Sequence, residues 1–457
     1  MNELSSRKKA LGGIDVFLGL ISAMLFADLI ATNTEMGPSV IVWWIIAGVI
    51  LFIPNGMVTA ELAATYPDQG GIYSWVRRAF GAKWAARTSW YYWINISLFV
   101  PASYVWFSGA FFGTFFPEAG YWPEVLLGIG MVWLTVWLCT KKLADSKWVI
   151  NIAGILKILI FILVIIAGAA FIIAGNQPAN VINAQTMAPT LGGSLKYLPV
   201  ILYLCCGMEI LSANAQEMRN PGKDVPKAML ILVIVSIAFN VFASFGMLNV
   251  VPIAELDLLT GVHQVLLIAF GSEMIAGIFM CLLLFTVFAG ITVWMLGGAV
   301  GANEAGKDGE LPRAFAKESK KSGAPIGALR LTGVIATAAM VLYGLLAQQS
   351  ADLFFTLLAF SSILFFVPYL IMFPAFLKLR KTDSTPRPYR APAGKFLAIL
   401  CEIVLVFAVV LFVWGPEDDL AFSWEYSLSV IIGVAASVIL GEIIVNHMLK
   451  KKGRQLE

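Results

Sequence analysis

Charge is scarce in this chain. Only 13% of its 457 residues are Asp, Glu, Lys or Arg, against about 25% in a soluble globular protein. Histidine is scarcer still, with two residues, which argues against a metal site built on imidazoles. The five cysteines are Cys139, Cys205, Cys206, Cys281 and Cys401. All fall inside apolar blocks without metal-ligand spacing, and adjacent Cys205 and Cys206 form no redox motif. Neither a disulfide framework nor a metal or other cofactor is expected. The spans hold no Walker loop, nucleophile elbow or paired catalytic carboxylates, so no ATP-driven pump or enzyme is expected. Repeated filter loops, the mark of many channels, are missing as well.

What the chain has in abundance is apolar surface. Hydrophobic residues make up 59% of it, and its mean hydropathy is +0.84. They fall in blocks of about 20 residues, long enough to cross a hydrocarbon core of ~30 Å as helix. The blocks are continuous rather than alternating, and a solvent without water admits only helices or closed barrels. The reading is an all-α integral membrane protein of twelve transmembrane helices in a single domain 1–457. The predicted spans are 14–36, 39–64, 84–115, 123–140, 147–174, 194–217, 226–250, 273–303, 326–347, 352–377, 395–414 and 425–448. Two further stretches, 72–80 and 261–270, are expected to be helical without spanning. No small-residue cleavage site follows the first block, which reads as a retained helix.

Basic residues test this division. Every Lys and Arg except Lys157 and Lys196 lies at the amino end, in the loops after spans 2, 4, 6, 8 and 10, or in the tail. The intervening loops carry acids instead: Glu118, Glu124, Glu255, Asp257, Asp352, Glu417, Asp418 and Asp419. Positive charge marks the cytoplasmic side, so both termini are expected in the cytoplasm of a cell that holds the protein in its inner or plasma membrane. These charges flank membrane helices and form no separate domain. The lipid bilayer is therefore a partner, and nucleic acid is not.

Polar residues inside the spans are costly and point to function. Span 6 reads Leu198-Pro-Val-Ile-Leu-Tyr-Leu-Cys-Cys-Gly-Met-Glu209, followed by Ser212, Asn214 and Gln216. A glycine beside a carboxylate, Gly207 and Glu209, suggests a helix that unwinds and frees backbone groups for a polar substrate; a packing glycine and a paired acid are the alternative. Span 1 is interrupted by Ser22, Asp28, Thr32, Asn33 and Glu35. Asp28 and Glu35 share a face if the helix is regular, and Glu35 also suits the outer interface. Lys157 lies about ten residues into span 5, too deep to reach water easily. It reads as a proton-coupling or conformational lysine, or as a charge pinned to a helix-end carbonyl. Of the aromatics, Trp84, Trp90, Tyr91, Tyr92, Trp93, Trp122, Trp424 and Tyr426 read mostly as interfacial anchors. Trp294 lies mid-span beside Gly290, Gly297 and Gly298, where it can cover a substrate or simply pack. Asn95 is a lone amide in span 3, either a helix-to-helix hydrogen bond or a substrate ligand.

Two segments carry a resemblance. Pro67-Asp-Gln-Gly-Gly-Ile-Tyr-Ser-Trp-Val-Arg-Arg-Ala-Phe-Gly81 resembles the loop after helix 2 of the amino acid–polyamine–organocation (APC) transporters. Gly207-Met-Glu-Ile210 with Glu217-Met-Arg-Asn-Pro-Gly-Lys-Asp-Val-Pro-Lys-Ala228 resembles their sixth helix and its exit. The resemblance covers nearly the whole chain. It lies nearest the bacterial glutamate/GABA antiporters and exchangers of an amino acid or agmatine for its amine product.

The resemblance implies a LeuT-like 5+5 inverted repeat, residues 14–174 and 194–377, with two peripheral helices in 395–448. Helices 1 and 6 would be broken at mid-membrane and form the site. By position the first break falls at Ser22-Ala-Met-Leu-Phe26, where many members carry Gly-Ser-Gly. The implied substrate-binding residues are Ser22, Ala23, Met24, Asp28, Asn95, Tyr203, Cys206, Gly207, Glu209 and Trp294, with Lys157 and Glu209 in coupling. The implied function is secondary transport of amino acids or amines by alternating access, as an antiporter. A proton-coupled symporter and a glutamate/GABA antiporter are the alternatives, and the implied assembly is a monomer or homodimer.

Overall fold

A computed structural model describes residues 12–68, 70–141, 147–189, 198–210, 218–346, 350–414 and 424–453. They are helical almost throughout, and ten helices are long and apolar enough to cross a membrane by length and composition. The other two predicted spans contain helix as well. Span 9 is the helix Ile326–Leu346, and span 6 begins with the short helix Leu198–Leu204. Ser212, Asn214, Gln216 and the acidic cluster Glu417–Asp419 lie outside the described residues.

The two short helices expected between spans are present as Ile72–Phe80 and Gly261–Phe270. Neither is long enough to cross a bilayer. The first buries Ile72, Tyr73, Trp75, Val76 and Ala79, the spacing of one helical face. Its Arg77 and Arg78 point outward.

Span 1 is not one helix. An α-helix runs Gly13–Met24, Leu25 and Phe26 leave helical geometry, a 3-10 turn covers Ala27–Leu29, and α-helix resumes over Ile30–Thr34. Asp28 stands on the 3-10 turn and Glu35 follows the last helical residue, so the regular helix that would align the two does not exist. Span 6 stops at Leu204; Gly207 takes φ +118°, and a short 3-10 turn follows. Span 2 carries a π-turn at Gly48–Phe52 just before Pro54. A proline lacks the N–H that an α-turn needs and crowds the carbonyl four residues back, and a wider turn relieves both.

Span 1 packs against spans 5, 7 and 8, and span 10 lies along span 3. In spans 1 and 3, 78% of the most apolar window is buried inside the molecule, against 17% in span 12. Spans 1 and 3 thus line the interior, and span 12 is peripheral. Exposed Ile, Val and Phe side chains cover the outer faces of spans 5, 11 and 12, as a hydrocarbon solvent requires.

Candidate functional site

The two irregular segments meet. Breaking span 1 leaves carbonyls at its end without the N–H four residues on. Lys157 Nζ donates to the Ser22 carbonyl at 2.7 Å, and Trp294 Nε1 donates to the Ala23 carbonyl at 2.9 Å. Both side chains are buried. Lys157 reaches span 1 because Gly154, one turn earlier, lets the two helices touch; a Cβ there would lie 2.6 Å from the Leu18 carbonyl oxygen. The lysine also stands 5.7 Å from the centre of the Phe26 ring.

The break in span 6 is held in the same manner from other helices. Asn55 of span 2 donates to the Cys205 carbonyl at 3.0 Å, and Thr59 donates to the Asn55 amide oxygen at 3.1 Å. The Gly207 N–H donates to the Tyr369 hydroxyl. Gly207 is required twice over. Its φ lies where side chains are strained, and a Cβ would stand 2.5 Å from the Trp294 ring and 2.7 Å from Met24 Sδ.

Glu209 follows two residues later and is buried. Tyr92 donates to its Oε1 at 2.8 Å, and Tyr369 donates to its Oε2. Phe365 packs on both tyrosines, 5.8 Å from Tyr92 and 5.2 Å from Tyr369, and belongs to a larger aromatic cluster. Trp294 lies 5.6 Å from Phe365, 5.9 Å from Phe99 and 6.3 Å from Phe26, while Tyr203 lies 5.2 Å from Phe365. On the side of the basic loops, Glu209, Tyr92, Ser89 and Gly298 line a narrow cavity of about 20 Å³, room for a single water.

Of the sequence-selected residues, Ser22, Ala23, Met24, Lys157, Gly207 and Trp294 are thus joined by hydrogen bonds or close packing around the two breaks. Cys206 is buried next to Gly207 and donates its N–H to the Tyr203 carbonyl. Asn95 is fully buried, and both polar atoms of its amide have no hydrogen-bond partner among the described residues. The Ser22 hydroxyl is in the same position. Buried polar atoms without partners are rare and call for a ligand or water. Asn95 is three residues after Tyr92 and four before Phe99, so it shares their helix face.

Asn55, Tyr369, Phe99 and Phe365 are not singled out by the sequence. A signal existed for two of them, because Asn55 and Tyr369 each follow a proline inside an apolar run. Tyr92, expected with its neighbours to be an interfacial anchor, belongs to the site instead. Trp90, Tyr91 and Trp93 are buried and Tyr92 holds Glu209, whereas Trp84, Trp122 and Trp424 are exposed as anchors should be.

Toward the basic loops, two ion networks bind the elements. Glu61, wholly buried near the end of span 2, accepts from both Arg380 and Arg387 and from the Ala391 N–H at 2.7 Å. Glu310 accepts from Tyr73 at 2.9 Å and from Arg77 at 3.0 Å, and Lys452 stands 3.8 Å away. Burial pushes the Glu310 carboxyl up from its ordinary range, against the hydrogen bond from Tyr73 and the charge of Arg77.

Comparison with known proteins bears on what this arrangement does. Residues 11–436 match the family model described as amino acid permease. The "Probable agmatine/putrescine antiporter AguD" of Lactococcus lactis is 28% identical over 98% of this chain and 97% of its own length. A glutamate/gamma-aminobutyrate antiporter of the same species is 22% identical over 90% of this chain and 84% of its own. The branched-chain amino acid permease BcaP of Bacillus subtilis is 24% identical over 90% and 89%.

Proposed function

Since the chain belongs to the amino acid permease family of membrane transporters and is not an enzyme, we propose that it exchanges a cationic amine or amino acid for its amine product by alternating access. The observation that carries this reading is Glu209, a buried carboxylate set at the broken middle of span 6 and aimed by two tyrosine hydroxyls. A cation entering a dry site loses its hydration and needs a fixed anion and oriented dipoles to offset the loss. The aromatic cluster of Phe365, Trp294 and Phe99, which meets those tyrosines through Phe365, suits a cation as well. Asp28 is the second carboxylate, on the turn two residues beyond the Phe26 ring that Lys157 faces at 5.7 Å. Asp28 and Lys157 therefore serve coupling and the conformational cycle, while Glu209, Asn95 and the Ser22 hydroxyl serve the substrate.

In this reading twelve helices cross the plasma membrane with both termini in the cytoplasm, and spans 1–5 and 6–10 are inverted repeats. The packing pattern supports the repeat. Span 3 lies along span 10 and its counterpart span 8 along span 5, while counterparts 2 and 7, 3 and 8, and 4 and 9 touch each other.

The test is a counterflow panel in proteoliposomes preloaded with putrescine. Labelled agmatine or another cationic amine should enter faster than into empty vesicles. Glu209→Gln should weaken amine binding by about tenfold or more, on the scale of a lost charge-assisted hydrogen bond, and affect neutral amino acids less. If glutamate displaces the labelled amine as well as putrescine does, the glutamate/GABA reading takes its place.

A further inference from the structure

At the membrane surface that carries the basic loops, span 11 begins at Gly394 beside an open cavity of about 730 Å³. Arg380, Arg390 and Lys395 line it, and among the described residues no acid does. Arg390 and Lys395 are exposed, whereas Arg380 is held by Glu61 and the Ala391 carbonyl. The remaining walls include the apolar side chains Phe396 and Ile399, which are 65% and 43% exposed. A soluble anion would gain nothing from that apolar wall.

One turn beyond Ile399 stands Ile403, which with Phe407 lines a second cavity, about 160 Å³ and wholly apolar, against Trp43, Ile50 and Leu202. Ile403 is eight residues from Lys395, so the climb is ~12 Å along the helix. That lies within the ~15 Å half-thickness of a hydrocarbon core. The basic cavity and the apolar one are thus two ends of a single track down the outer face of span 11, with Ile399, Ile403 and Phe407 at successive turns. The one acid of this helix, Glu402, lines neither cavity.

We propose that this track binds an anionic phospholipid, its phosphate headgroup between Arg390 and Lys395 and one acyl chain along Ile399 and Ile403 toward the apolar cavity. Basic pockets beside membrane helices attract anionic headgroups, at about 1 kcal/mol per Lys or Arg near the surface, which is roughly fivefold in affinity. The site also has a place in the working of the molecule. Arg380 lines the headgroup cavity and clamps Glu61, so a bound lipid bears on the contact that ties span 10 to span 2.

The test is native mass spectrometry of the full-length protein titrated with phosphatidylglycerol or phosphatidylcholine of the same chain length. We expect retained phosphatidylglycerol in preference to phosphatidylcholine. In the double variant Arg390→Gln/Lys395→Gln its affinity should fall on the order of 25-fold. Ile403→Trp, which fills the track and leaves every charge in place, should reduce it too. Both variants change exposed residues, and their melting temperature checks the fold. Equal retention of the two lipids, or retention unchanged in the double variant, overturns the proposal. Displacement of the lipid by millimolar inorganic phosphate also overturns it, in favour of a soluble-phosphate site.

Discussion

At Lys157 the ammonium donates to a carbonyl that a regular helix would have paired with the Phe26 N–H. The same side chain is therefore both a charge and a helix-end cap. Its loss leaves the Ser22 carbonyl unsatisfied, at a cost of about 1–3 kcal/mol. Lys157→Ala is expected to abolish exchange while the purified protein stays folded and monodisperse in detergent. Counterflow rates with their pH dependence, beside a size-exclusion profile, check this. Wild-type rates with an unchanged pH dependence would refute the assigned role. Asn95 was legible as an isolated amide in an apolar span, but not the lack of any partner for it, because a sequence shows which groups are polar and not which are left over after packing.

Among the elements, the two breaks differ in origin. Span 6 carries its own cause in Gly207, which alone among the residues there tolerates φ +118°. Gly207→Ala should be destabilising, by about 1–3 kcal/mol from backbone strain and further from the collision with Trp294 and Met24. Thermal unfolding in detergent reads the loss directly, and a melting temperature equal to wild type would show that the segment can straighten without penalty. Span 1 has neither glycine nor proline between Ser22 and Phe26. Its break is imposed by Lys157 of span 5 and Trp294 of span 8, which take the freed carbonyls. The short helix Ile72–Phe80 was readable to the residue, since its apolar spacing and its flanking glycines Gly71 and Gly81, both at positive φ, are local properties.

On the scale of the whole molecule, the buried Glu61 joins span 2 to span 10 and to the chain beyond it. Removing one partner of a buried ion pair costs about 3–5 kcal/mol, so Glu61→Gln should lower the melting temperature clearly, and it should loosen Arg380 and Arg387 enough for trypsin to cut there. An unchanged melting curve and cleavage pattern would mean that the clamp carries no stability. The orientation of the molecule is open to chemical labelling. In a variant lacking the native cysteines, Gln185→Cys, in the loop between spans 5 and 6, should react with a membrane-impermeant maleimide added outside intact cells. Lys320→Cys, in the loop after span 8, should react only after lysis. The opposite pattern would invert the topology drawn from the basic loops.

By itself the sequence determined that this is a membrane protein, where its apolar blocks and two surface helices lie, and that Gly207, Glu209 and Lys157 stand out. Each of these follows from short stretches of chain, because hydrocarbon burial, helix periodicity and the cost of an intramembrane charge are local terms. Only the tertiary structure decided what those residues face. Tyr92 and Tyr369 come to Glu209 from residues 117 and 160 positions away, Asn55 comes to Cys205 from 150, and Lys157 comes to Ser22 from 135. Partners so distant are chosen by helix packing. It is packing that holds open the break expected in span 1, and that makes a tyrosine expected at the interface part of the site.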